Sequence, residues 1–330
     1  MCSSPLVNPF EAVHSLPTNA TIDSPEPSIL SHSSNLQLQP DSLEDTDLPC
    51  DPCGSLAEYK LVGDGLLDPR GVFYLVSLFA DYYHSYFPIV RNDDFRAESI
   101  ASFAADEKYL FTAILTVASE ALSDVPLVHE YCSAYMRELI SEVAMGMSCG
   151  IDAVEALLLL AQWEPSGLFI QKGHIGCGEE SRAAWMHIGL ALRMAYCLRL
   201  DRAASQPVPL EDAGKVARQT RAWAFCCLSQ RLISVCVRPG TLSGGPRFMP
   251  RFYPGDFGPV PHTDIKVTYQ ERYCQALSGL AHISGTFHGL LEAELSTKPA
   301  LEKDSRLKYV EDFRRALCIW RSVWGILVCK

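Results

Sequence analysis

The stretch Arg182-Ala183-Ala184-Trp185-Met186-His187-Ile188-Gly189-Leu190-Ala191-Leu192-Arg193-Met194-Ala195-Tyr196-Cys197-Leu198-Arg199-Leu200 repeats apolar side chains at three- and four-residue spacing. That is the period of an α-helix. Its small residues Ala184, Gly189, Ala191 and Ala195 are expected to let a neighbouring helix approach closely. Trp185, Ile188, Leu192 and Met194 are expected to supply buried area, worth about 1.5–3 kcal/mol for each large side chain. Such a helix needs other helices around it.

Outward from this stretch, the pattern repeats in both directions. Upstream, Asp68-Pro69 reads as a helix start, because proline at the first helical position loses no hydrogen bond. Val72, Phe73, Val76, Phe79, Ala80 and Tyr83 follow at helical spacing, and Tyr86-Phe87-Pro88 stops that helix, since the residue before proline disfavours helical backbone. Asp106 reads as the cap of a second helix carrying Leu110, Phe111, Ile114, Leu115, Val117 and Ala118. Further helices are expected over 125–145, 152–162, 179–200, 210–237, 266–291 and 301–328. The pairs Glu211/Lys215, Glu302/Arg306 and Glu311/Arg315 have the four-residue spacing of stabilising ion pairs. Alternating strand patterns are scarce, and Pro239 to Pro261 reads as a long loop. The expected fold is all-α, a multi-helix bundle over 67–330.

Residues 1–66 have another texture, rich in serine and proline and poor in aromatics. They cannot bury enough apolar surface to offset the entropy of ordering, so a disordered acidic segment is expected. Leu36, Leu38, Leu43 and Leu48 stand among Asp41, Glu44, Asp45 and Asp47, the composition of an acidic activation segment. No lysine or arginine precedes Lys60, and residues 1–60 carry −8 of the chain's net charge of −11. Neither part offers the basic footprint that DNA phosphates require, so no direct DNA binding is expected from this chain alone. The greasiest run, Val154 to Trp163, is broken by Glu155 and Gln162 and is too short for a membrane helix. The N-terminus lacks the basic start and continuous apolar stretch of a signal peptide, so an intracellular protein is expected.

In that compartment, Cys132, Cys197, Cys226, Cys227, Cys236, Cys274 and Cys318, scattered through helical stretches, read as buried reduced thiols. Cys50-Asp51-Pro52-Cys53 has metal-ligand spacing, but a structural zinc wants four ligands, and the next cysteine is Cys132. Gly173-His174-Ile175-Gly176-Cys177-Gly178 follows no strand, so it reads as a loop rather than a phosphate cradle. Cys177 beside His174 is flanked by Glu179 and Glu180, which oppose a reactive thiolate. His84 and His187 lie on separate helical segments, and His282 and His288, six apart, fall on different helix faces, so none has metal spacing. No catalytic residue and no metal site is expected.

Three segments, in order, resemble the middle homology region of fungal binuclear-zinc transcription factors. The first runs from Tyr83 through Tyr86, Phe87 and Pro88 to Val90, followed by Phe95. The second is the Trp185 helix, with Gly189 and Arg193. The third contains Arg218, Arg221 and Trp223, then Arg231, and ends in Val237-Arg238-Pro239. It departs from the family pattern at Gln230, usually aspartate, and at Val237, usually glycine. The resemblance covers roughly 70–328 and implies an all-α regulatory domain, nuclear residence (otherwise cytoplasmic) and action through protein partners, a homodimer or a full-length relative. It also implies zinc only in a six-cysteine DNA-binding module, which this chain lacks; no cofactor is expected here.

Arg193, Arg221, Arg231 and Arg238 admit two readings: helix-end and carboxylate partners, which suit arginine's planar fork, or the lining of a pocket for an anionic metabolite. The second would make the chain a helical ligand-binding protein or enzyme. A third alternative is a gene-model fragment of a full-length factor.

Overall fold

The computed structural model describes residues 56–122, 126–163, 182–205, 213–236, 265–297 and 303–328, all within one compact unit, Pro52–Lys330. Among the described residues the elements are α-helices and short 3₁₀ turns, with no strand. The helices are α1 (Lys60–Gly63), α2 (Pro69–Tyr82), α3 (Ile100–Asp106), α4 (Lys108–Ser119), α5 (Pro126–Ala144), α6 (Ile151–Gln162), α7 (Arg182–Cys197), α8 (Ala213–Cys236), α9 (Ile265–Thr297) and α10 (Lys303–Val328). The all-α expectation is met, and the predicted starts and ends of α5 to α8 fall within a few residues of those observed. The expected loop 239–261, the glycine-rich run at 173–178, the Cys50/Cys53 pair and the leucine-and-acid segment lie outside the described residues.

Two helices form the centre. Every residue of α4 from Tyr109 to Ser119 is buried, as is every residue of α6 from Asp152 to Ala161. A helix that is apolar all round has no solvent side to offer and must be enclosed. The hydroxyls inside α4 bond to the helix's own carbonyls, Thr112 to Lys108 and Thr116 to Thr112, each at 2.7 Å. Around this pair, α2, α3 and α5 pack on α4, while α7 and α8 pack on α6. α8 also touches α7 and α9, and α10 packs principally on α9, where the Trp320 indole donates to the Ala276 carbonyl at 2.8 Å.

α2 starts as the sequence implies, with the Asp68 carboxylate accepting from the Arg70 amide at 3.1 Å and Pro69 in the first turn. Val72, Leu75, Val76 and Phe79 are its buried face.

Several expectations are corrected. The folded unit reaches further upstream than residue 67: Leu56, Tyr59 and Leu61 are core residues, with the Tyr59 hydroxyl 2.8 Å from Thr112 Oγ1. Asp106 ends α3 instead of capping α4; the residue before α4 is Glu107, whose side chain makes no cap bond. On α7, Ala184, Ile188, Ala191 and Ala195 are buried, but Gly189 lies beside the Arg193 guanidinium, off the buried side, and Trp185, Leu192 and Met194 are half-buried. Cys132, Cys226, Cys227 and Cys274 are buried thiols, whereas Cys197 and Cys318 are exposed. Arg315 pairs with Asp312 at 3.4 Å, one residue nearer along the chain than the expected Glu311.

Arg199, just past the end of α7, has φ +58°, the left-handed region. Glycine normally occupies such a position, because a Cβ there crowds the following carbonyl by roughly 1–2 kcal/mol. Arg199→Gly is therefore expected to stabilise the fold by about 1 kcal/mol, read as a higher urea midpoint with unchanged slope.

Candidate functional site

The polar centre of the molecule assembles from three separate parts of the chain. Glu107 stands between α3 and α4, where a carboxylate also faces the partial positive charge of the α4 N-terminus. Glu155 is the lone charge between Ala153 and Gln162 in α6, and its side chain is wholly buried. Arg218 comes from α8 and reaches both. Its Nε donates to both Glu155 oxygens at 3.1 Å, and its Nη2 donates to Glu107 Oε2 at 2.6 Å. Its Nη1 donates to the other Glu107 oxygen, and Nη2 also to Glu155. The planar guanidinium thus presents one edge to each carboxylate, which a lysine ammonium could not do.

The electrostatics follow from burial. Burial pushes the Glu155 carboxyl above the usual range, while the attraction and hydrogen bonds of Arg218 oppose it. Burial would lower the Arg218 guanidinium, but the two carboxylates outweigh it and hold the charge more firmly than in water. Asp152, at the start of α6, is also raised by burial, against the Tyr109 amide that donates to it at 3.4 Å. The Arg91–Asp94 pair, with Nη2 to Oδ1 at 2.7 Å, lies within electrostatic reach of Arg218 and Glu107.

One turn beyond Arg218, Arg221 is buried at 3% exposure and acts electrostatically on both Glu155 and His84. His84 is buried too, its Nε2 2.9 Å from Asn92 Oδ1 and its ring edge-on to Phe95. Burial first, and the Arg221 charge after it, lower the His84 imidazole to about 4, although Asn92 favours the protonated ring. His187 on α7 is lowered to about 4 by burial alone.

An aromatic cluster adjoins this centre. Phe87 sits 4.4 Å from Phe225 of α8 and 6.1 Å from Trp163, centroid to centroid, and Trp163 meets Tyr83 edge-on at 5.4 Å. Pro88 is buried beside it, and half-buried Tyr86 faces Tyr273 of α9 at 6.1 Å. The Tyr-Phe-Pro turn therefore ties the end of α2 to α6, α8 and α9. Trp223 of α8 packs edge-on to Tyr196 of α7 at 5.1 Å. The two motif helices are neighbours in one bundle.

The expected arginine set does not share an environment. Arg193 is exposed on α7, Arg221 is buried, and Arg231 is half-buried against Gly285 of α9. Arg238 and Pro239 lie outside the described residues. The residues that do converge are Glu107, Glu155 and Arg218; the sequence marks Arg218 only as part of a motif and Glu155 only as a break in an apolar run. One signal was available: a single carboxylate inside an otherwise apolar run has to find a buried cation. Chemically, the cluster is a three-way clamp. Both carboxylates spend their oxygens on one guanidinium, so their geometry serves to join α8 to α6 and to the α3–α4 junction.

Among the described residues no group of three or more His, Cys, Asp or Glu side chains is placed to hold a metal ion, and no helix is long and apolar enough to cross a membrane. No curated protein and no solved structure matches the chain. The family model described as fungal specific transcription factor domain matches residues 76–238, from the middle of α2 to just past the end of α8. That span includes the Tyr-Phe-Pro turn, the central helices, both motif helices and every member of the arginine clamp. Residues 76–238 therefore carry the fungal specific transcription factor domain, a domain of transcription regulators.

Proposed function

We propose that the chain is the regulatory and interaction portion of a zinc-cluster type transcription factor, working through helix–helix contacts with partner proteins and without catalysis. The observation that carries this reading is the position of the family match. It covers a helical core in which Glu107 and the buried Glu155 share one cation, Arg218. A rigid bundle of this kind presents helix faces rather than reactive groups. In this reading the nucleus is its site of action, and the partner is a full-length relative, a second copy or a coregulator. DNA contact and zinc belong to a six-cysteine module outside this sequence, and no cofactor is needed here.

The test is to fuse the whole chain to an unrelated DNA-binding domain and measure a reporter placed behind the matching site in a fungal cell. A several-fold change in reporter output, up or down, is expected, together with nuclear accumulation of the chain carrying a fluorescent tag. Unchanged output from a well-expressed fusion would sink the regulatory reading.

A further inference from the structure

We propose that the outward face of α7 is the docking surface for an acidic, aliphatic-bearing helix of a partner protein. The inference rests on the reading that the chain acts through protein contacts, and it names the surface and the chemistry of the partner. Arg182, Met186, Arg193, Tyr196 and Cys197 are all exposed, and with Gly189 they fall on one side of the helix. At about 100° per residue they occupy a sector roughly 100° wide, opposite the buried Ala184, Ile188, Ala191 and Ala195.

The composition of that face is unlike an ordinary solvated one. α7 has no acidic residue in its 16 positions, so its arginines have no carboxylate on their own helix. Met186 is 58% exposed, and Tyr196, although its ring meets Trp223 of α8 edge-on, is still 47% exposed. Arginine, methionine and tyrosine are enriched where proteins meet, and lysine is depleted; no lysine occurs from Arg182 to Gly214. Arginines near a helix C-terminus also favour the helix dipole, but the dipole gives no reason to expose Met186 and Tyr196.

Arg199 adds an independent observation. It is the one non-glycine residue with positive φ among the described residues, and it is exposed just beyond this face. Backbone strain kept at a position that glycine would relieve points to a use for the side chain. Arg202 follows, exposed and only loosely near Asp201 at 3.9 Å.

Charge complementarity selects a partner with carboxylates. Arg182 and Arg193 are three turns apart, roughly 16 Å along the axis. A helix with acidic residues at matching spacing would meet both while its aliphatic residues cover Met186. Gly189 between them leaves room for close approach. Nucleic acid would meet the same arginines, but the chain's net charge of −11 opposes the approach of any acidic partner, helix or polyanion, at long range. Affinity then has to come from desolvated apolar contact, which an acidic helix offers and a phosphate backbone does not.

The experiment uses the full chain and a fluorescein-labelled helical peptide of about twenty residues with glutamate and leucine on one face. Anisotropy is expected to show binding that falls at least about tenfold in Arg182→Glu/Arg193→Glu. Met186→Ala should weaken it as well. Arg199→Gly should weaken it while raising the unfolding midpoint, a combination that general damage to the fold cannot produce. A lysine-for-glutamate peptide should not bind. Equal binding by a DNA duplex, retained affinity in the double variant, absence of peptide binding, or concentration-dependent self-association through the same residues would each overturn the proposal. In the tethered reporter, loss of output in the folded double variant supports the proposal. Unchanged output in that variant rejects it while leaving the regulatory reading intact. A silent wild-type fusion rejects the regulatory reading, and the peptide measurement still decides the surface.

Discussion

Arg218→Met is expected to destabilise the protein by about 3–5 kcal/mol, the cost of leaving a buried carboxylate without its cation. Glu155 would keep a side chain with no solvent contact, and Glu107 one that is 14% exposed, with only the Arg221 charge left to act on Glu155. The loss belongs to the orphaned charges rather than to the intrinsic worth of the clamp. Adding Glu107→Gln and Glu155→Gln to Arg218→Met should therefore recover most of it. The gap between the single variant and the wild type should also narrow as the pH falls from 7 to 5, since a carboxyl whose folded pKa is raised gains stability where it protonates. Urea denaturation of the single and triple variants at both pH values would check this. If Arg218→Met cost less than about 1 kcal/mol, the clamp would be no more than a surface ion pair.

A loss of stability on mild acidification is the second large effect expected. His84 and His187 are each 4% exposed, and each imidazole is lowered from 6.5 to about 4. The unfolded chain takes up these protons near pH 6.5, and the folded chain only near pH 4. Stability is thus full above about 6.5, declines through the interval, and stops declining from this cause below about 4. A shift from 6.5 to about 4 corresponds to about 3 kcal/mol per histidine. Glu155 and Asp152, raised by burial, work in the opposite direction at the acid end and blunt the fall. Unfolding midpoints at pH 7, 6, 5 and 4 would show the slope, and His84→Asn should remove about half of it. A midpoint unchanged between pH 6.5 and 4.5 would contradict the burial of both rings.

What the sequence made legible was where helices run. α6 illustrates this: Ala-Val-Glu-Ala-Leu-Leu-Leu-Leu-Ala has one charge, and the structure encloses all of it. Periodicity says which residues turn together, not which neighbour they meet. So Trp185 and Gly189 were placed on the packing face of α7, whereas Gly189 lies outward by Arg193 and Trp185 is only half-buried. The short turn and helix over 56–63 escaped notice because they hold too few residues to show a period, although Leu56 and Leu61 are as buried as any core side chain. The clamp escaped for a different reason. Glu107 and Arg218 are 111 positions apart, and one-dimensional spacing carries no trace of such a pairing. Asp106 looked like the cap of α4 from its residue type; Glu107 holds that place, and its carboxylate is taken by Arg218.

The arrangement of the last two helices bears on how the molecule comes apart. α10 leans principally on α9, and α9 joins the remainder mainly along α8, so this hairpin is the outermost rung of a ladder. Pulling it away leaves the α4–α6 centre closed and the guanidinium of Arg218 still gripped. Breathing of the protein should begin there, with amide protons in α10 trading with solvent long before those of α4, whose release demands that the whole structure open.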